Sequence, residues 1–317
     1  MINTSIALFE LINRKTLNYF NGLTQNPFAT ILMLHRSKKY NFNNLQYFED
    51  MNIDPLVLKD KIIKYISDGY KFISLDDLLT ILKEKKTNNH EKLLVITIDD
   101  GYIETYTDIF PILKNFNIPF TFYVASSFPN KNIGLWWNYL NDSLTKNSII
   151  TLFNNKKVDI STIQKKQNIY INLSRELLKM GNKIESNFVK IFNVEYDTIV
   201  NEYQNNFIGW DHINEMSKNT LCTIGSHTNK HFGLRFSTLE DISKDILINK
   251  DDIKKYTGNT PKHFAYPYGT YYSVGLREFK LIQDLGFSSG VNTFSTYIFP
   301  SDFKNRYSLP RVVLKND

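Results

Sequence analysis

The chain has a single cysteine, Cys222, among its 317 residues, which excludes an internal disulfide framework. No apolar stretch approaches the roughly 18 uninterrupted residues of a membrane-spanning helix. Runs of like charge are also missing. The excess of Lys and Arg over Asp and Glu, 38 against 32, is dispersed, so no nucleic-acid-binding surface is indicated. A net charge of +6 leaves a mild attraction for anionic sugars, sugar phosphates or lipid head groups. Residues 1–20 lack a basic leader region, and Glu10 interrupts their apolar run, so they do not read as a secretory signal. Ile2, Ile6, Phe9 and Leu17 suggest instead an N-terminal helical segment over 1–28, packed on the body. A cytoplasmic protein is predicted, with peripheral contact at the inner face of the membrane left open.

Apolar residues make up 42%, including 23 Phe and 19 Tyr, enough to bury a large core. The stretch 29–35, ATILMLH, has strand length and ends in His35. Asp54 and Pro55 open a helix whose inner stripe is Leu58, Ile62 and Ile66 and which Gly69 ends. A strand over 71–74, a helix over 75–86 and a loop over 87–91 follow. The run 92–98, KLLVITI, has the unbroken pattern of a strand covered on both faces, and it leads into Asp99, Asp100 and Gly101. A helix over 104–116, kinked or restarted at Pro111, and a strand over 119–125 complete a parallel-sheet unit.

From 126 to about 206 the composition shifts toward Asn and Lys, with its best helical pattern over 171–192; this reads as an insertion. Alternation resumes with a helix over 211–217 next to Trp210 and its cap Asp211, and a strand over 221–225. A helix over 239–256 carries a capping box of Ser237 and Glu240. A strand over 264–266, a helix over 274–285 and closing strands over 287–291 and 311–314 complete the chain. The sum is an irregular (β/α) barrel with one helical insertion, a fold whose chemistry sits at the C-terminal ends of its strands.

Those ends carry His35, the pair Asp99 and Asp100, and His227, with His231 four residues further on. Adjacent strand residues face opposite ways, so both aspartates serve one site only if the strand breaks, and Gly101 supplies the break. One carboxylate could then hold a metal while its neighbour acts as a base; two acids at a helix start are the plainer alternative. Two histidines and one aspartate form a three-ligand set with an open position, as a catalytic zinc or another first-row divalent metal requires. Trp136 and Trp137 offer either a face for stacking on a sugar or an anchor for the insertion. His90, His212 and His263 have no matching partners and read as solvated, and Cys222 reads as a small buried hydrophobe.

Three stretches in order, TIDDG at 97–101, SHTNKH at 226–231 and FAYPYG at 264–269, resemble the first three motifs of the polysaccharide deacetylases, the NodB-homology carbohydrate esterases. The resemblance covers about 29–314 and implies a deformed TIM barrel of (β/α)7 type over 29–317, with the insertion at about 126–206. It implies Asp99 as general base, and Asp100, His227 and His231 as ligands of zinc or a similar metal. Tyr268, after Pro267, would supply a backbone N–H to the oxyanion. Two positions depart from the pattern. Ala265 stands where the family usually has the arginine that braces the base, and Arg311 is the candidate substitute. The C-terminal acid histidine is missing as well. A subgroup similar to the biofilm poly-N-acetylglucosamine deacetylases carries that histidine on an N-terminal strand, in a segment like LMLHR at 32–36, which implies His35 as general acid.

The implied activity is metal-assisted N-deacetylation of an amino sugar in a surface glycan, or in its lipid- or nucleotide-linked precursor, such as a glycolipid. Sugar deformylation, O-deacetylation and a catalytically inactive glycan-binding homologue stay open. Ala265 favours the inactive form, and the retained acid, base and ligand types oppose it.

Overall fold

The computed structural model describes residues 28–85, 91–151 and 157–316. The predicted N-terminal helical segment over 1–28 therefore lies, apart from Phe28, outside the described residues, as does most of the loop over 87–91.

Eight parallel strands build the main sheet: β1 (Ala29–Leu34), β2 (Tyr70–Phe72), β3 (Lys92–Ile98), β4 (Phe120–Val124), β5 (Cys222–Ser226), β6 (His263–Ala265), β7 (Ser289–Val291) and β8 (Val312–Val313). Its path runs β7-β6-β5-β4-β3-β1-β8, with β2 beside β3. The sheet curls until its ends approach: Leu309 bridges Val291 of β7, while Val312 and Val313 pair with Leu32 and Met33 of β1. Mostly parallel strands with helices around them make this the deformed barrel of the NodB fold.

Strand periodicity sorts the side chains. Leu32 and Leu34, Leu94, Ile96 and Ile98, and Phe120 and Phe122 share one apolar cluster with the surrounding helices. Ile31, Val95, Tyr123, Ala265 and Val291 belong to the cluster inside the barrel. Two residues beyond Thr97, Asp99 continues the inner row. Register fixes its neighbour: Leu34 pairs with Ile98, and the Asp99 N–H donates to the Leu34 carbonyl at 3.0 Å, so His35 and Asp99 leave the barrel side by side.

The helices follow local signals. Helix α1 (Pro55–Ser67) is capped by Asp54, whose side chain accepts from the Leu56 N–H; Leu58 and Ile62 are buried, whereas Ile66, expected inside, is 48% exposed. Helix α2 (Leu75–Glu84) starts with a Ser74/Asp77 capping box. The restart expected at Pro111 is a π-helical turn over Thr105–Ile109 that passes into α3 (Phe110–Asn115), since proline has no N–H for the ordinary i to i−4 bond.

The insertion carries more order than its composition suggests: α4 (Trp136–Lys146), a hairpin of Ile149–Thr151 with Lys157–Asp159, α5 (Ile163–Leu178), α6 (Ile184–Phe192) and α7 (Tyr196–Tyr203). The single helix expected over 171–192 is two, broken at Gly181, whose φ of +55° does not continue a right-handed helix. These elements share a core of their own, with Leu140, Tyr170, Leu177 and Ile199 packed beside Tyr102 and Phe128 of the barrel rim.

The second half of the barrel carries α8 (Trp210–Ser217), α9 (Leu239–Thr257) and α10 (Leu276–Asp284). Two expected caps shift. Gly209, not Asp211, precedes α8, and Asp211 lies in its first turn. At α9 the box over Ser237 and Glu240 moves by one residue: Thr238 is the cap, its hydroxyl accepting from the Asp241 N–H at 3.1 Å. His263, expected to be solvated, is fully buried at the start of β6, between Ser289 (2.8 Å) and Asp76 (3.2 Å).

Candidate metal centre and active site

At the end of β3 the backbone turns sharply. Asp100 has φ of +80°, which takes its carboxylate off the strand's alternation and lets both aspartates face one place. Gly101 is needed next: a Cβ there would sit 2.5 Å from Phe128 Cβ. The loop after β5 bends in the same way, with φ of +65° at Thr228 and +49° at His231, and so presents both imidazoles to Asp100.

Asp100 Oδ1 lies 3.4 Å from His227 Nε2 and 3.2 Å from His231 Nε2, and the ligand atoms of the three buried residues lie within 4.8 Å of one another. His227 Nδ1 is 2.7 Å from the Ala265 carbonyl, so it carries the proton and leaves Nε2 as a lone-pair donor. Asp100 Oδ1 is buried with no hydrogen-bond partner. An orphaned carboxylate oxygen facing two imidazole nitrogens fits a first-row divalent cation, and a buried set without one would leave that oxygen unsatisfied. Burial pushes the Asp100 carboxyl up, but His231 and His227 outweigh it and hold it well below its ordinary range; burial lowers His231 against the pull of Asp100. An ionised carboxylate with a neutral imidazole is the form that binds a metal.

Asp99 is held differently. Arg311 Nη1 donates to its Oδ1 at 2.7 Å and Nη2 to its Oδ2 at 2.6 Å, a two-pronged pairing of fully buried groups. Arg311 also donates through Nε to the Asn292 carbonyl and through Nη1 to Thr97 Oγ1. Burial raises the Asp99 carboxyl, and Arg311 leads the groups that bring it below its ordinary value. The Nε2 of His35 is 3.8 Å from Asp99 Oδ2, its Nδ1 is buried without a partner, and burial lowers its pKa.

Tyr268 follows the buried Pro267 with φ of +60°, and its ring centre lies 4.8 Å from that of His231. The two tryptophans divide their parts. Trp136, 4% exposed, belongs to the insertion core and touches the cleft from there, while Trp137 lies 5.3 Å from the His231 ring, its Nε1 donating to Tyr102 Oη at 2.8 Å. All the singled-out residues except Arg311 and Pro267 line one cleft of about 1180 Å3, walled on one side by α5.

Sequence reasoning missed the residues that hold the histidine loop. Asp245 of α9 accepts from the Asn229 N–H at 2.7 Å and the Lys230 N–H at 3.2 Å. Asn249, one turn on, meets Ser226 Oγ at 2.6 Å and donates to the Val124 carbonyl. The signal was present: Asp245 and Asn249 interrupt the buried stripe of Ile242, Ile246 and Ile253. Buried polar side chains on an inner helix face have a partner to serve.

Fold and site together define a barrel whose C-terminal rim holds a metal-type donor set beside a braced carboxylate. Residues 86–287 match the model of the polysaccharide deacetylase family, and the chain belongs to that family. It is therefore a hydrolase acting on carbon–nitrogen bonds other than peptide bonds, of a family that is generally metal-dependent. Three solved structures share the fold. The Streptococcus pyogenes deacetylase PplD, in complex with acetate, has 16% identity and a TM-score of 0.59 over 92% of this chain and 95% of its own. IcaB from Ammonifex degensii has 18% identity and a TM-score of 0.59 over 92% and 93%. A de-N-acetylase from Aggregatibacter actinomycetemcomitans has 17% identity and a TM-score of 0.57 over 91% and 95%. No curated protein sequence matches the chain. Among the described residues no helix is long and apolar enough to cross a membrane.

Proposed function

We propose that the protein removes the acetyl group from an N-acetylated amino sugar of a surface glycan or its precursor, with a divalent metal, zinc first, held by Asp100, His227 and His231. The observation that carries this reading is the pairing of two unlike aspartates: Asp100 with an orphaned oxygen toward two imidazoles, and Asp99 clamped by Arg311. Such a cation, when bound, polarises the acyl carbonyl and acidifies a water.

The chain's own residues do the proton work. Asp99, kept ionised, takes a proton from the attacking water. His35 gives a proton to the departing nitrogen as the carbon–nitrogen bond breaks. An imidazole lowered by burial releases it readily and can regain one from Asp99 at 3.8 Å. The Tyr268 backbone N–H supports the developing oxyanion, and Trp137 limits the cleft beside His231. Arg311 supplies the bracing whose apparent loss at Ala265 favoured an inactive homologue. Residues 29–317 act on this reading as one catalytic barrel, with 126–206 inserted as a wall of its cleft.

Acetate release from N-acetylglucosamine oligomers by the zinc-loaded protein tests it. Asp99→Asn and His35→Ala are each expected to lower turnover about a hundredfold or more. Near-normal turnover in either variant removes that residue from its role, and formate release from an N-formyl sugar in place of acetate would make the protein a deformylase.

A further inference from the structure

The cleft extends well past the metal centre, and the cations along it are not equivalent. Arg36 is paired with Glu104, Lys315 with Asp50 and Lys179 with Glu176, each at 2.7 Å. Arg175 differs. It is exposed in the last turn of α5 and makes no ion pair among the described residues; its guanidinium carbon sits 5.7 Å from the centre of the Tyr272 ring, across the cleft wall. Arg235, on the same cleft, donates through Nη1 to the carbonyl of Tyr271 at 2.7 Å. Two guanidinium groups from separate parts of the chain are thus anchored on one dipeptide of the rim.

A guanidinium resting on an aromatic face is held in place without being neutralised, and its N–H donors lie in its plane, suited to two oxygens of one anion. The nearest carboxylate in sequence, Glu176, is engaged by Lys179. Building on the deacetylase reading, we infer that Arg175 forms an anion-binding subsite that takes a phosphate or carboxylate group carried by the amino-sugar substrate. The site then selects a charged glycan or a phosphate-linked precursor over a neutral polymer, with Tyr272, 53% exposed, as the platform for the adjoining sugar.

Binding is measured by calorimetry on the full chain treated with chelator, so that no cation at the triad adds its own attraction for an anion. The probes are methyl N-acetylglucosaminide, N-acetylglucosamine 1-phosphate and a glucuronate-linked N-acetylglucosamine disaccharide. At least one charged probe is expected to bind about tenfold tighter than the neutral one, and Arg175→Gln to remove about fivefold of that without moving the neutral probe. Raising salt from about 50 to about 300 mM is expected to act like the substitution. The phosphate and carboxylate arms identify the source of the charge. Equal affinity for all three probes, or a loss in Arg175→Gln shared by the neutral probe, overturns the subsite. Acetate release is read separately on zinc-loaded protein: charge-selective binding with no acetate release from any probe would sink the deacetylase reading and leave the subsite standing.

Discussion

Arg311 and Asp99 come from opposite halves of the sequence and meet where water is excluded. Burying two charges costs several kcal/mol each, so the pair persists only because both prongs of the guanidinium are matched and its Nε is satisfied by Asn292. Removing one partner strands the other: Arg311→Met is expected to lower unfolding stability by about 3–5 kcal/mol in chemical denaturation. The same change acts on proton chemistry with a definite sign. Burial raises the Asp99 carboxyl and Arg311 lowers it, so without the arginine Asp99 stays protonated to higher pH. The acid limb of kcat/KM against pH should then move upward in Arg311→Met and less in Arg311→Lys, which keeps a charge but not the fork. An unchanged limb in both variants would mean that Asp99 is not the titrating base. The sequence named Arg311 only as a candidate. A two-residue strand has no periodicity to read, and the contact joins residues 212 positions apart.

Helices and turns set the Asp/His/His donor side chains at a distance. The histidine loop hangs from α9 through Asp245, whose carboxyl burial raises from 3.8 to about 6 despite the two backbone N–H groups it accepts. A folded-state value above the unfolded one means that folding takes up a proton, so Asp245 costs stability as pH rises from about 4 to about 6, by at most about 3 kcal/mol. In chelator-treated protein, Asp245→Asn should flatten that slope: the difference in unfolding free energy between variant and wild type grows in the variant's favour across this window and is constant above it. A parallel pair of curves would place the titration elsewhere. The turn after β3 is less forgiving. Gly101→Ala puts a Cβ 2.5 Å from Phe128 Cβ and should cost about 1–3 kcal/mol, with a greater loss of turnover than of stability because Asp99 and Asp100 move with the turn. Equal and small losses in both would show the turn to be tolerant. Such turns are only half legible in a sequence. Glycine after two aspartates announced a break, but nothing announced the left-handed φ of Asp100, Thr228 or His231, which tertiary contacts impose.

At the scale of the molecule, unbroken apolar runs made β1, β3 and β4 readable, and strand-end chemistry located the rim. The insertion was legible as a change of composition with one helical stretch, and the rest of it was not, because its helices bury their faces against each other and against Tyr102 and Phe128, contacts that no local pattern encodes. Barrel and insertion meet over the donor set, so occupancy of that set should be felt by the whole fold. A cation that binds the native chain alone stabilises it by about 2.7 kcal/mol at a hundredfold excess over its Kd, a rise in Tm of a few degrees for a chain of this size. Thermal unfolding after chelation, with zinc then returned, measures it. Zinc should raise Tm in the wild type and in Asp99→Asn, whose substitution lies outside the donor set, and should fail to do so in Asp100→Asn and His227→Ala. A rise that survives the loss of Asp100 would locate the cation elsewhere on the molecule. A rise lost in Asp99→Asn as well would mean that both aspartates bind the cation and that neither is free to take a proton.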